Sequence, residues 1–371
     1  MKNIKILQIG LGSNQGGIES CVVNYFSNIN RERICFDFVD IFGYGIAYQR
    51  RIIELGGRIL RTENCKRRPI KFAFELKKII VDGKYDIVHI HVLSAANLVP
   101  VIVAIVTGKN CVIVHSHNSS IPSGIIRKMM HYINRPVLQN LNVEKWACSI
   151  MAGQWLWGKK FEKDNIIFNA IDRTKFVKCK EEREKIRKKL GYNEENIVMG
   201  YVGKLAEQKN PFFLLEIVKR LYAINKKFRL LVIGDGVLGN KFKKRVESYG
   251  LTESVFLAGK AGSVVKWYQA MDLFLLPSLF EGLPMVGVEA QAVGLKCFFS
   301  NHITHEADIT GNVVFLPIDQ GAEIWISHIL NYIYGINTDR SNNFCKDYDI
   351  AYAAKRLEDN YQFLVKNSNC N

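Results

Sequence analysis

"DLFLLPSLFEGLPMVGVE", residues 272–289, runs from an unbroken apolar stretch through a short loop into a segment holding one proline and a second glutamate. Residues 272–278 lack the alternation of a half-wet strand, which predicts a strand buried on both faces, the habit of parallel sheets. Pro284 is suited to a helix's first position and Gly294 to its end. Glu281 then falls in the loop beyond the strand's carboxyl end. Glu289 lies five residues into the helix, about 7.5 Å along its axis at 1.5 Å per residue. Carboxylates seldom sit in such apolar surroundings unless paired or hydrogen-bonded. Either two surface glutamates flank a buried helix start, or both carboxylates address separate parts of one elongated ligand. In the second reading Gly282 and the nearby amides suit its anionic middle.

The same strand–loop–helix order recurs along the chain. Strands are predicted at 4–10, 35–42, 57–62, 85–92, 111–117 and 145–150, then at 196–203, 228–236, 255–259, 272–278, 296–300 and 313–317. Alternation with helical stretches, twice over, predicts two doubly wound, Rossmann-like α/β domains. A chain of 371 residues is also too long for one ordinary core. The expected division is 1–172, 173–348 and a last helix in 349–371 that packs back toward the first domain. The charge-rich helix in 179–196, ended by Gly191, reads as a solvated opening of the second domain.

The formal net charge is +16, with an excess of 11 in residues 1–170 and 5 in 171–371. Much of it lies in 61–78 and around Arg127, Lys128 and Arg135. A basic half calls for an anionic partner. Nucleic acid is disfavoured, because the basic stretches lack interleaved aromatics and no zinc-finger or basic-zipper spacing occurs. The longest apolar run, Leu98 to Val106, is far short of the roughly 20 residues a membrane crossing needs. With no signal-peptide pattern at the start, a cytoplasmic location is expected, peripheral to the inner face of the membrane. Nine scattered cysteines suggest neither a zinc site nor a disulfide framework.

Four further segments carry candidate chemistry. "GLGSNQGGIES" (10–20) follows the first strand with the glycines of a phosphate-approaching turn, although Gln15 stands where a dinucleotide fingerprint has its third glycine. A nicotinamide-dinucleotide reading rests on that loop together with Asp40. His89/His91 and His115/His117 end two strands, each pair on one face. If the strands are neighbours, four imidazoles approach each other, which suits a metal, a substrate-contacting histidine or a satisfied core; no cysteine or carboxylate completes a ligand set. "HITHE" (302–306) is not the H-E-x-x-H of a zinc protease. In "YVGKLAEQKNP" (201–211), Lys204 and Lys209 share one loop before a helix that Pro211 opens, an arrangement fit for clamping a diphosphate.

Taken together, "EGLPMVGVE", the N-terminal Gly-Gly loop, "VHSHN", "FNAID", "VGKLAEQKNP", "LLVIGDG" and "FLAGK" resemble, in order, the motifs of retaining glycosyltransferases of family 4, closest in flavour to bacterial exopolysaccharide and capsule enzymes. The resemblance covers nearly the whole chain. It implies the GT-B fold, two Rossmann-like domains facing each other across a cleft, and hexosyl transfer from a nucleotide diphosphate donor, with UDP the usual nucleotide. Glu281 would contact the donor sugar, with Gly282 and Leu283 beside it, and Glu289 would hold the ribose hydroxyls. Lys204 and Lys209 would hold the diphosphate, with Gly17 near the same phosphates, and His117 would stand beside the transferred sugar. Position 204 is commonly arginine in that family; lysine keeps the charge and loses the bidentate fork. No metal and no cofactor is implied beyond the nucleotide sugar. The acceptor would be a saccharide, carried on a polyprenyl diphosphate at an anionic membrane surface that the basic N-terminal domain meets. The rival classes are a dinucleotide-dependent dehydrogenase or epimerase, and a non-catalytic subunit of a transferase complex.

Overall fold

A computed structural model describes residues 3–108, 111–120, 124–335 and 344–368. By its contacts the chain divides into two compact units, one of residues 1–172 with 346–371 and the other of residues 173–345.

The first unit is built on six parallel strands: β1 (Ile4–Ile9), β2 (Ile34–Asp40), β3 (Arg58–Arg61), β4 (Ile87–Val92), β5 (Val112–Ser116) and β6 (Glu144–Ala147). They lie in the order β3-β2-β1-β4-β5-β6. The second unit repeats the plan with β7 (Ile197–Val202), β8 (Phe228–Ile233), β9 (Val255–Gly259), β10 (Leu273–Leu276), β11 (Lys296–Ser300) and β12 (Val313–Leu316), ordered β12-β11-β10-β7-β8-β9. Both are doubly wound sheets, as the sequence pattern predicts. In each, chain order reverses at one place, between β1 and β4 and between β7 and β10. Ligands of such sheets bind outside the strands' carboxyl ends at that reversal.

The first sheet is covered on both faces, which is why its strands are apolar without alternation. One face packs against helices Gly17–Asn28 and Ile350–Ser368 through residues such as Val22, Phe26, Ala354, Leu357 and Tyr361. The other packs against helices Pro69–Gly83 and Val99–Val106 through Phe72, Leu76, Ile80 and Val101.

Three local expectations change. The helix Lys180–Leu190 ends at Gly191, whose φ of +71° suits a residue without Cβ. Its charged face, however, is not wholly solvated. Arg187 is 2% exposed and donates to Asp272 at 2.6 Å, and Arg183 donates to the other oxygen of that carboxylate at 2.6 Å. Asp272 also accepts from the Val198 amide at 2.7 Å, so the helix is tied to the entries of both β7 and β10. Pro284 is the residue before the helix instead of its first: its ψ of 111° keeps it extended, and the helix runs Met285–Ala292. The return to the first unit begins at Lys346, three residues before the position expected. Tyr348 is already part of that unit, accepting from the Ile171 amide at 3.0 Å with its ring 5.0 Å from Phe168.

Candidate functional site

In the second unit, three loops leave β7, β8 and β10 at their carboxyl ends. Backbone contacts fix their spacing. A Cβ on Gly234 would lie 2.0 Å from the Gly203 carbonyl, and one on Gly236 would lie 2.4 Å from the Leu205 carbonyl. Only glycines let the β8 loop approach the lysine loop so closely. The Leu205 amide then donates to Asp235 O at 3.2 Å and the Leu238 amide to Leu205 O at 2.9 Å. Gln208 ties the lysine loop to the glutamate loop, donating to Phe280 O at 3.0 Å and accepting the Leu279 amide on its own carbonyl at 2.8 Å.

Within that frame Lys209 and Glu281 form an ion pair, Nζ donating to Oε1, with both side chains largely buried. The pair bridges the loops of β7 and β10, the two strands that flank the reversal. Lys204, on the same loop, is exposed. Gly282 and Leu283 are buried beside Glu281. Pro211 opens the next helix, Pro211–Ile224, at its first position. Glu289 is not paired with Glu281; its Oε2 accepts the Tyr268 hydroxyl at 2.9 Å. Burial drives the Glu289 carboxyl up to about 7 against the opposing effect of that hydrogen bond. Tyr268, fully buried, is a site residue that the sequence reading did not select. Its only sequence signal is its place on the short helix Val265–Gln269 just before β10.

In the first unit, Gly17 opens the helix Gly17–Asn28, and a Cβ there would meet nothing within 4 Å. The glycine loop before it is not an open cradle. Glu19 accepts the Gly12 amide at 2.8 Å, and a Cβ on Gly16 would lie 2.6 Å from the same carboxylate. Asp40, the residue a dinucleotide reading needs for a ribose, is fully buried and caps its own loop. It accepts the amides of Phe42 at 3.1 Å, Gly43 at 2.8 Å and Gly45 at 2.7 Å. A ribose hydroxyl would have to displace these bonds, so the dinucleotide reading loses its second support.

The four strand histidines do meet, since β4 and β5 are neighbours with His91 opposite His115. His91 Nδ1 is 2.9 Å from His117 Nε2, and His91 Nε2 is 2.8 Å from Gln8 Oε1. His89 Nδ1 is 2.8 Å from the Tyr361 hydroxyl, and its Nε2 is 3.2 Å from His115 Nδ1. Burial holds all four below the ordinary histidine range, His117 down to about 3, so they are neutral at pH 7. Ring nitrogens of His89, His91 and His115 come within 4.8 Å of one another, a spacing a metal could use. Each neutral imidazole has one lone pair, though, and hydrogen bonds already engage both ring nitrogens of His89 and His91 and the Nδ1 of His115.

Comparison with known proteins agrees with this architecture. Residues 182–315 match the family model described as glycosyl transferases group 1. Over 334 residues the chain is 28% identical to EpsF of Bacillus subtilis (strain 168), a protein described as a glycosyltransferase, covering 88% of this chain and 86% of that one. It is 23% identical over 299 residues to the capsular polysaccharide biosynthesis glycosyltransferase CapH of Staphylococcus aureus, covering 77% and 78% of the two chains. Among solved structures, Anabaena HepE in complex with UDP and glucose superimposes with a TM-score of 0.77 at 17% identity, over 97% of this chain and all of that one. The chain has the two-sheet GT-B architecture, and its residues 182–315 carry the match to the group 1 glycosyl transferases.

Proposed function

We propose that the protein is a retaining, family 4 hexosyltransferase that moves a sugar from a UDP-linked donor to a saccharide carried on a lipid diphosphate. The Lys209–Glu281 pair at the sheet reversal is the observation that carries this reading. It sets a cation and a carboxylate side by side, the two charges that a donor's diphosphate and sugar call for. Bond cleavage leaves negative charge on the departing diphosphate and positive charge on the sugar ring. Lys209, Lys204 and the first amides of helix Met285–Ala292 answer the first charge, Glu281 the second, and neither requires rearrangement at the moment of reaction. Glu289, steadied by Tyr268, takes the ribose hydroxyls. The family resemblance would add Gly17 near the same phosphates and His117 beside the transferred sugar. The acceptor hydroxyl attacks from the face the diphosphate leaves, and the leaving phosphate takes its proton.

The names of similar proteins support the choice of substrates. HepE was solved with UDP and glucose, and the Escherichia coli relative, 28% identical over 243 residues, is named for UDP-Gal and a diphosphoundecaprenol-linked acceptor. No helix among the described residues is long and apolar enough to cross a membrane. The helix Ile125–Asn140 instead suits a position on one. Ile125, Ile126, Met129 and Ile133 stand at least half exposed beside Arg127 and Lys128, and the helix holds no acidic residue. Exposed apolar side chains ringed by cations favour an anionic interface.

Incubating the protein with UDP-sugars and a lipid diphosphate saccharide, and reading the product's anomeric configuration by NMR, tests the reading. Transfer with the donor's configuration kept is expected. Inversion, or preference for GDP or ADP donors, would overturn the corresponding part. Sedimentation with phosphatidylglycerol but not phosphatidylcholine vesicles is expected, and lost in Ile126→Asp.

A further inference from the structure

Gln8 is the last residue but one of β1 and is 1% exposed. A primary amide has two chemically unlike ends, and here each end meets one branch of the histidine cluster. The oxygen lies 2.8 Å from His91 Nε2, and the amide nitrogen is left to donate to the Tyr361 hydroxyl. Every proton in the cluster follows from that orientation, because each ring is neutral and so has one donor and one acceptor nitrogen.

Along the first branch, Gln8 Oε1 can only accept, so His91 carries its proton on Nε2. Its Nδ1 must then accept, and it accepts at 2.9 Å from His117 Nε2–H. His117 is left with a bare lone pair at Nδ1, for which the described residues offer no hydrogen-bond partner. Along the second branch, Tyr361, already accepting from Gln8, donates to His89 Nδ1 at 2.8 Å. His89 Nε2–H donates to His115 Nδ1 at 3.2 Å. The last proton, on His115 Nε2, is buried and unpartnered. Turning the amide over would invert all of these roles, and His117 would present a donor.

We propose that Gln8 is the positioning residue that fixes the tautomers of all four histidines and thereby presents His117 to its ligand as a hydrogen-bond acceptor at Nδ1. The proposal rests on the reading above that His117 stands beside the transferred sugar. It adds the chemistry of the contact: the sugar group meeting His117 is a hydroxyl that donates. A donor sugar carrying an ether or no oxygen at that carbon is a poor substrate.

Long-range ¹H–¹⁵N correlation spectra of the wild-type protein read each tautomer directly. His89, His91, His115 and His117 are all expected in the Nε2–H form at pH 7; a Nδ1–H or doubly protonated His117 overturns the proposal. Gln8→Met keeps the side chain's length and removes the amide. It is expected to give mixed tautomers at His117 and a kcat lower by tenfold or more, with KM for the donor changed less than twofold. Tyr361→Phe removes the acceptor that orients the amide, and should mix the His117 tautomers and lower kcat in parallel. Mixed tautomers with unchanged kcat overturn the positioning role. Failure of the functional reading has a different signature: the spectra are as stated, yet His117→Ala transfers sugar as fast as wild type.

Discussion

The Lys209 ammonium donates to the Glu281 carboxylate, and the two residues, 72 positions apart in sequence, come from the loops after β7 and β10. Chain order reverses between those strands, and ligands of such sheets bind outside their carboxyl ends at that place. A donor's diphosphate would enter beside a cation that Glu281 already holds in place.

Removing that cation should therefore separate two measurements. Lys209→Ala is expected to weaken UDP binding while leaving uridine binding nearly unchanged, because its partner would be the diphosphate. It also removes the ammonium that faces the largely buried Glu281 carboxylate, at a cost to folding of about 1–3 kcal/mol. Lys204→Arg is expected to keep or raise activity, since a guanidinium grips phosphate with two parallel bonds. Titration of uridine and UDP by calorimetry checks both; equal loss for the two ligands in Lys209→Ala would point to misfolding instead.

If Glu289 holds the ribose as proposed, nucleotide binding should depend on pH. Burial pushes its carboxyl up to about 7, so near neutrality much of it is protonated. Ribose hydroxyls donate best to the ionised form, so UDP affinity should rise between about pH 6 and 8. Tyr268→Phe deletes a hydrogen bond that favours the charged form, and should move the midpoint of that rise upward. Glu289→Gln should flatten the profile and weaken binding by about 1.5–3 kcal/mol, the range for hydrogen bonds to charged groups. A pH-independent wild-type affinity would remove Glu289 from the ribose site.

The buried histidines set a second pH dependence, with its own sign. All four have folded-state values below the ordinary 6.5. The unfolded chain takes up protons below that pH and the folded chain does not, so stability present above about pH 6.5 is lost as the pH falls. Each group contributes about 1.4 kcal/mol per pH unit once well below 6.5. Denaturant midpoints measured from pH 7.5 down to 5 should fall steeply. A midpoint that stays level would mean the imidazoles take up protons in place.

His117→Ala should lower kcat by about 10²–10⁴, the usual reach of a positioned polar group at a reacting centre. UDP affinity should stay near the wild-type value, because apart from Gly17 the residues assigned to the nucleotide lie in the second unit. EDTA should leave the wild type active. Activity lost to chelation and restored by zinc or manganese would make the histidine cluster a metal site and overturn the mechanism.

The strands were legible because burial on both faces leaves short apolar runs bounded by polar and glycine-rich turns. Glu281 and Lys209 were legible for a related reason, since charged residues in an apolar or glycine-rich loop after a strand have few structural uses. Tyr268, Gln8 and Glu19 were not. Each takes its place through contacts with residues distant in sequence or through loop geometry, and a tyrosine before a strand or a glutamine within one looks like ordinary filling. Asp40 misled for the same reason: its three amide partners are local, but only the loop's shape shows that they consume both oxygens. Arg183 and Arg187 sit in a run of charge whose periodicity predicts solvent, and Asp272, more than 80 residues away, draws them inward.

The C-terminal helix carries a consequence for the order in which the molecule can be made. Ile350, Ala353, Ala354, Leu357 and Tyr361 belong to the same core as Phe26, Phe36 and Trp146, and Glu358 accepts the Asn30 amide at 2.6 Å. A ribosome that has released residues 1–172 has delivered every strand of the first sheet and only part of what covers one of its faces. Domains usually complete their folding in the order they are synthesised. Here the second unit, continuous from 173 to 345, can close while the first still waits, with its histidine cluster uncapped, for residues 346–371 to emerge.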